Sequence, residues 1–129
     1  MMMVYEHSCS KSLEEIDAAL REAVGRHKFG VLGVHDLQQA MRNKGVEYGD
    51  VCMVYEVCNP QQAKRVLETD AAFSTMLPCR ISVYGSQTGY RIATLLPTAM
   101  MKVVGAPGAA EVAREVEGEL IEIIKEAAV

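Results

Sequence analysis

The sequence predicts an α+β fold, with a single mixed or antiparallel sheet of about five strands and helices packed on one face. Five apolar segments rich in β-branched residues read as strands, and two long and two or three short segments have helical periodicity. Two of the strand segments are separated by a short polar loop that is typical of a hairpin turn, Gly85-Ser86-Gln87-Thr88-Gly89. At 129 residues, half of them hydrophobic, the chain is expected to form one domain spanning residues 1–129.

The five strands are predicted at residues 2–7, 29–34, 51–58, 79–84 and 90–96. Almost every position from 51 to 57 is apolar, which is typical of a strand covered on both faces, and we expect this strand to be central. Its alternation places Cys52, Val54, Glu56 and Cys58 together on one face.

The helices are predicted from capping residues and apolar spacing, at about residues 13–27, 37–41, 60–68 and 109–127. Ser12 with Glu15 forms a capping box, Asp36 pairs with Gln39, and Asn59 caps a helix that Pro60 begins. Thr98 is expected to cap a turn through residue 104, and residues 105–108 form a breaker. The last helix has an apolar stripe opposite a glutamate-rich face that we expect to be solvated.

Composition excludes several classes of protein. The formal net charge of -4 disfavours binding to nucleic acid, which normally requires a basic face. No apolar run reaches the length of a membrane span, and the first residues lack the basic region of a signal peptide. We therefore expect a cytoplasmic protein with no membrane partner and four free thiols. The cysteines are scattered without a C-x-x-C motif, so a zinc ribbon or thioredoxin motif has no support.

Cys58 is the strongest candidate for chemistry, because it ends a strand immediately before a helix N-terminus. Such a position lowers the pKa of a thiol, and the thiolate is the nucleophile and the metal ligand. Cys79 begins the next predicted strand, so the two sulfurs could approach each other at one edge of the sheet. The alternative is that both cysteines pack as small hydrophobic residues.

Two further residues are candidate ligands near these thiols. Glu56 shares a strand face with Cys52 and Cys58, and a carboxylate beside thiols is a plausible metal environment. A glutamate in a sheet more often pairs with a neighbouring Lys or Arg, or reaches solvent at an edge. His35 could serve as a base or ligand, or be a solvated turn residue. His7 and His27 are expected on the surface. Methionines 76, 100 and 101, with neighbouring leucines, predict an adaptable apolar cluster for the core or a dimer contact.

These residues resemble the domain of unknown function 302 family, a set of small prokaryotic proteins. The resemblance rests on Phe29-Gly30-Val31-Leu32 with Asp36, on Cys58-Asn59-Pro60 with Ala63 and Leu67, and on Leu77-Pro78-Cys79, Val83-Tyr84, Pro97 and Met100. It implies a compact α+β fold and a homodimer, and it implies no established activity. Arg80 departs from the family pattern, in which this position is often small or polar.

Three hypotheses about function follow. The first is a homodimeric module that binds a small ligand or metal at the Cys-Asn-Pro turn, through Cys58, Asn59, Cys79, Glu56 and His35. The second is a thiol-dependent redox protein or enzyme, in which Cys58 attacks and Cys79 resolves. The third is a structural protein in which the motif only fixes the strand–helix turn. The sequence specifies neither a cofactor nor a reaction.

Overall fold

A computed structural model describes residues 3–105 and 107–129. It contains one five-stranded sheet in which every neighbouring pair is antiparallel, in the order β1-β5-β4-β3-β2. The strands are β1 (Val4–Cys9), β2 (Gly30–Asp36), β3 (Cys52–Cys58), β4 (Cys79–Ser86) and β5 (Gly89–Leu95). The α+β prediction is therefore confirmed. Met2, in the first predicted strand, and Ala106, in the predicted breaker, lie outside the described residues.

Within the described residues, five α-helices connect or follow these strands: α1 (Leu13–Arg26), α2 (Leu37–Arg42), α3 (Pro60–Thr69), α4 (Pro97–Val104) and α5 (Ala110–Ala128). Short 3-10 helices occupy Ala71–Met76 and Pro107–Ala109. In the part of the chain that the structure describes, no helix is both long and apolar enough to cross a membrane.

The central strand of the sheet is β4, which corrects the expectation that β3 is central. β3 lies between β4 and β2, one position from the edge. On β3, Tyr55 and Val57 are buried, whereas the alternate residues Val54 and Glu56 are only half-buried. The strand is thus covered on one face. The sequence of β3 is apolar at nearly every position because Cys52 and Val54 on the other face are apolar as well, although they are only half-buried.

One face of the sheet packs against α1 and α5 to form the core. Buried side chains of β3, β4 and β5 contact the buried stripes of the two helices, and the core includes Ile16, Leu20, Tyr55, Val57, Ile81, Val83, Ile92, Leu120, Ile123 and Ile124. The apolar stripe predicted for the last helix is buried as expected. The opposite face, which we call the outer face, carries the alternate side chains of the same strands, among them Val4, Glu6, Glu56, Arg80, Ser82 and Ala93.

Local signals for capping are confirmed at three of the four predicted positions. Ser12 and Glu15 form the reciprocal capping box, and Asp36 accepts a hydrogen bond from the Gln39 backbone. Thr98 is the exception: residues 97–104 form the helix α4, and its N-cap is Leu96. The Thr98 amide and hydroxyl instead donate to the Glu117 carboxylate of α5, at 3.0 and 2.6 Å.

The acidic face of α5 is more than a solvated surface. The His27 ring, only 19% exposed, lies between the carboxylates of Glu119 and Glu126, and Arg26 also contacts Glu126. Burial opposes the charged imidazole, but hydrogen bonds to Glu126 and Glu119 prevail and raise the pKa of His27. The surface position expected for His27 is therefore wrong, because its partners lie far away in sequence and join α1 to α5.

Candidate functional site

The Cys-Asn-Pro turn has the predicted strand-to-helix geometry. Cys58 is the last residue of β3, and Pro60 is the first residue of α3. The Asn59 side-chain oxygen accepts a hydrogen bond from the Gln62 amide at 3.1 Å. This bond satisfies one of the free N–H groups of the helix start, so Asn59 has a structural task that requires no ligand.

Cys58 and Cys79 lie near each other, at the neighbouring ends of β3 and β4. Cys79 lies directly opposite Val57, and both cysteines line a small cavity of about 20 Å³. Gln62 lines the same cavity, and its side-chain oxygen is buried with no hydrogen-bond partner among the described residues. The sequence-based expectation that the two cysteines come near each other agrees with this placement.

Neither thiol is activated by its surroundings. Burial raises the pKa of the Cys58 thiol, and burial together with the nearby Cys58 raises the pKa of Cys79 to about 11. Desolvation disfavours a thiolate, and burial is the cause of the shift at Cys58. Both thiols are therefore protonated at neutral pH, contrary to the low pKa expected for Cys58.

Glu56 and His35 are brought together on the outer face. The Nε2 atom of His35 lies 2.8 Å from Oε1 of Glu56, and an Nη2 atom of Arg80 lies 3.8 Å from the other carboxylate oxygen. Gly33 is directly opposite Glu56, and a Cβ at this position would lie 3.1 Å from Oε1. The absence of a side chain at Gly33 makes room for the His35–Glu56 pair.

These groups do not assemble into a metal site. Across residues 3–105 and 107–129, no three side chains of His, Cys, Asp or Glu converge in a way that could hold a metal ion. Glu56 contacts a histidine and an arginine, which is the ion-pair alternative of the sequence analysis. The geometry thus favours Glu56 as a partner for neighbouring cations.

A groove of about 550 Å³ lies along the outer face, and we call it the outer-face groove. Its floor is formed by side chains of four strands, including Val4, Cys52, Arg80, Ser82, Tyr84, Ala93 and Leu95. Its wall is formed at the end where β4 begins and β5 ends, by residues that include Met76, Pro78, Pro97 and Met100. Cys79 also lines the groove, whereas Cys58 does not.

The outer-face groove combines an apolar lining with a small number of polar groups. Hydroxyl groups of Ser82 and Tyr84 and the guanidinium of Arg80 are the polar side chains nearest the middle of β4. Such a combination is typical of sites for small organic molecules, in which apolar contacts supply affinity and a few polar groups fix orientation. Burial and the nearby Cys58 raise the pKa of Cys79, the thiol that lines the groove, to about 11, which disfavours a thiolate nucleophile there.

Sequence reasoning did not identify this groove as a site. It singled out Met76 and Met100 as an apolar cluster and Arg80 as a departure from the family pattern, without connecting them. The available signal was the alternation in β4 and β5, which places Arg80, Ser82 and Ala93 on one face. The missing information was the full strand order, since the groove also takes Val4 from β1 and Cys52 from β3.

Comparison with known proteins places the chain in a family. The family model described as domain of unknown function DUF302 matches residues 5–127. The crystal structure of an uncharacterised conserved DUF302 protein from Bacillus stearothermophilus is similar, with a TM-score of 0.94 and 28% sequence identity, and the match covers 98% of this chain and 99% of that chain. No curated protein shows significant similarity. The chain therefore belongs to the domain of unknown function 302 family, as its sequence motifs had indicated.

Proposed function

We propose that the protein is a homodimeric module that binds a small organic ligand in the outer-face groove. The observation that carries this proposal is the groove itself, about 550 Å³ in volume and mostly apolar in its lining. This volume lies within the range of roughly 300–1,000 Å³ that is usual for small-molecule sites. Binding, rather than catalysis, accounts for a site in which the thiol is protonated.

The five residues singled out in the sequence take different parts in this proposal. Cys79 lines the groove and would contact the ligand. Glu56 and His35 form a hydrogen-bonded pair beside the groove, next to Arg80. Cys58 and Asn59 form the turn at the end of β3 and, with Cys79, line the small cavity beside it.

The proposal is tested by filling the groove from its floor. Ser82 lies on the central strand between Val54 and Ala93, so Ser82→Phe would place a ring in the groove. Ser8 lies on the outer face of β1 and does not line the groove, and Ser8→Phe is the matched control. The neutral fluorescent probe 1-aminoanthracene should bind the wild type and Ser8→Phe, and its affinity should fall about tenfold or more in Ser82→Phe. Equal binding by all three proteins would contradict the proposal.

The homodimer is the second part of the proposal. It is supported by the family resemblance in the sequence and by large apolar side chains that remain on the surface, among them Leu32, Val46, Val103 and Val104. Sedimentation equilibrium over a range of protein concentrations should give twice the chain mass of 14.1 kDa. A single species of that chain mass at all concentrations would exclude the dimer.

We also propose the cytoplasm as the compartment of the protein, which is supported by its four free cysteines.

A thiol-dependent redox reaction is the alternative function, and one observation favours it: Cys58 and Cys79 line the same cavity. This alternative requires one of the two thiols to ionise near neutral pH. Alkylation followed by mass spectrometry of each cysteine over a range of pH measures this property directly. Cys58 should react slowly, with a pKa above that of a free thiol, whereas a fast reaction at or below neutral pH would favour the redox alternative.

A further inference from the structure

Arg80 stands out among the charged groups of the outer face because its guanidinium forms no short hydrogen bond with a carboxylate of the described residues. Its nearest carboxylate oxygen, on Glu56, is 3.8 Å away, which is beyond hydrogen-bond distance. No other carboxylate in the described part of the chain forms an ion pair with it, and its side chain is 57% exposed. A guanidinium presents five N–H donors, so Arg80 retains donors for a further partner.

Glu56 is engaged by another residue. Its Oε1 atom is hydrogen-bonded to His35 at 2.8 Å, and the space beside this bond exists because Gly33 has no side chain. The Glu56 carboxylate is therefore held by His35, and it reaches Arg80 only as a longer ion pair. A second anion could approach the guanidinium without first breaking a short hydrogen bond.

The charge inside the outer-face groove also favours an anion. Among the described residues that line the groove, Arg80 is the one cation, and no Asp or Glu lines it. Glu56 lies opposite Arg80 on β3, whereas the lining on the β5 side and at the wall is apolar, with Leu95, Met76 and Met100. An ion pair formed against such a surface is partly shielded from water, which strengthens it.

We infer that the groove binds an anion with an apolar body, whose carboxylate pairs with Arg80 while its chain lies along the apolar floor. This inference rests on the proposed function and specifies its ligand class. A carboxylate matches the fork of a guanidinium with two parallel hydrogen bonds, which a hydroxyl group does not. Glu56 competes for the same guanidinium, so it limits the affinity for the anion.

The test compares octanoate with 1-octanol, which has the same chain length and no charge. Isothermal titration calorimetry should show both binding to the wild type, with octanoate about tenfold tighter at low salt. Arg80→Gln should remove this preference and leave 1-octanol binding unchanged. Arg91 lies on the same face, 3.5 Å from Glu6 and outside the groove lining, so Arg91→Gln is the control that should keep the preference.

A third variant, Glu56→Gln, tests the competition. Removing the carboxylate while keeping an acceptor for His35 should tighten octanoate binding about two- to fivefold, the effect of an exposed ion pair. Equal affinity for octanoate and 1-octanol in the wild type, with no effect of Arg80→Gln, would overturn the inference but leave the groove as an apolar site. Binding of neither ligand would contradict the proposed groove as well.

Discussion

The two faces of the sheet are built from alternating residues of the same strands, yet they differ in packing. On β4, Ile81 is completely buried beneath the helices, while the next residue, Ser82, lies on the floor of a groove. The helix face is filled by apolar side chains from α1 and α5, and the outer face leaves a volume of about 550 Å³. Stability is therefore expected to depend on one face and ligand binding on the other.

Arg80 on the outer face differs in its partners from the polar groups beside the helices. Near the helix face, the Tyr55 hydroxyl donates to Asp17 at 2.6 Å, and burial followed by this hydrogen bond raises the pKa of Tyr55 far above its usual value. On the outer face, the Tyr84 hydroxyl donates to Glu6, whereas Arg80 has only a long ion pair. A satisfied polar group indicates architecture, whereas a polar group with unused donors beside an apolar groove indicates a place for a ligand.

The largest expected effect separates neighbouring residues of β4. Ile81→Ala should lower the free energy of unfolding by about 2–5 kcal/mol, because it leaves a cavity in the core. Ser82→Ala, on the opposite face, should change it by less than about 0.5 kcal/mol. Urea unfolding of the two variants and the wild type measures both values. Similar losses at the two positions would contradict the division of roles between the faces.

The next effect concerns the Cys-Asn-Pro turn. Asn59→Ala should lower the free energy of unfolding by about 1 kcal/mol, because the cap of α3 is lost. Affinity for 1-aminoanthracene should stay within a factor of about two, since Asn59 does not line the outer-face groove. Loss of binding in a variant that remains folded would instead place the ligand at the turn.

The smallest expected effect is a pH dependence at the helix face. The pKa of His27 is raised in the folded protein above its usual value of 6.5, so its stabilisation is complete below that value and is lost as pH rises through the folded pKa. His27→Gln should therefore destabilise the protein more at about pH 5.5 than at about pH 9, by up to about 1 kcal/mol.

Thermal unfolding at both pH values measures this difference, with His7→Gln as the control. The His7 ring forms a hydrogen bond with the neighbouring Ser8 carbonyl and has no ion pair with a carboxylate among the described residues. The same loss of stability at both pH values for His27→Gln would show that its charge is not involved.

Features set by nearby residues could be predicted from the sequence. The capping residues Ser12, Asp36 and Asn59 act on backbone groups three positions away, and all three caps are present. The hairpin between β4 and β5 was also identified, although the strands extend further, to Ser86 and from Gly89. Glycine is required at Gly89, where φ is +139° and a Cβ would lie 2.7 Å from the Cys9 carbonyl oxygen.

Features that depend on distant contacts could not be predicted in this way. The position of β3 in the sheet depends on strand order, and the partners of His27 come from the far end of the chain. The low pKa expected for Cys58 followed from its place before a helix, but burial is a property of the whole fold and acts in the opposite direction. The outer-face groove requires four strands and α4 together.

The central claim is that a ligand binds on the outer face and not at the Cys-Asn-Pro turn. An NMR titration of the isotopically labelled protein with octanoate tests it residue by residue. The account predicts that the backbone signals of Arg80, Ser82, Ala93 and Leu95 shift with one common affinity, while those of Asn59 and Gln62 stay in place. Shifts confined to Cys58, Asn59 and Gln62 would contradict it and return the site to the turn.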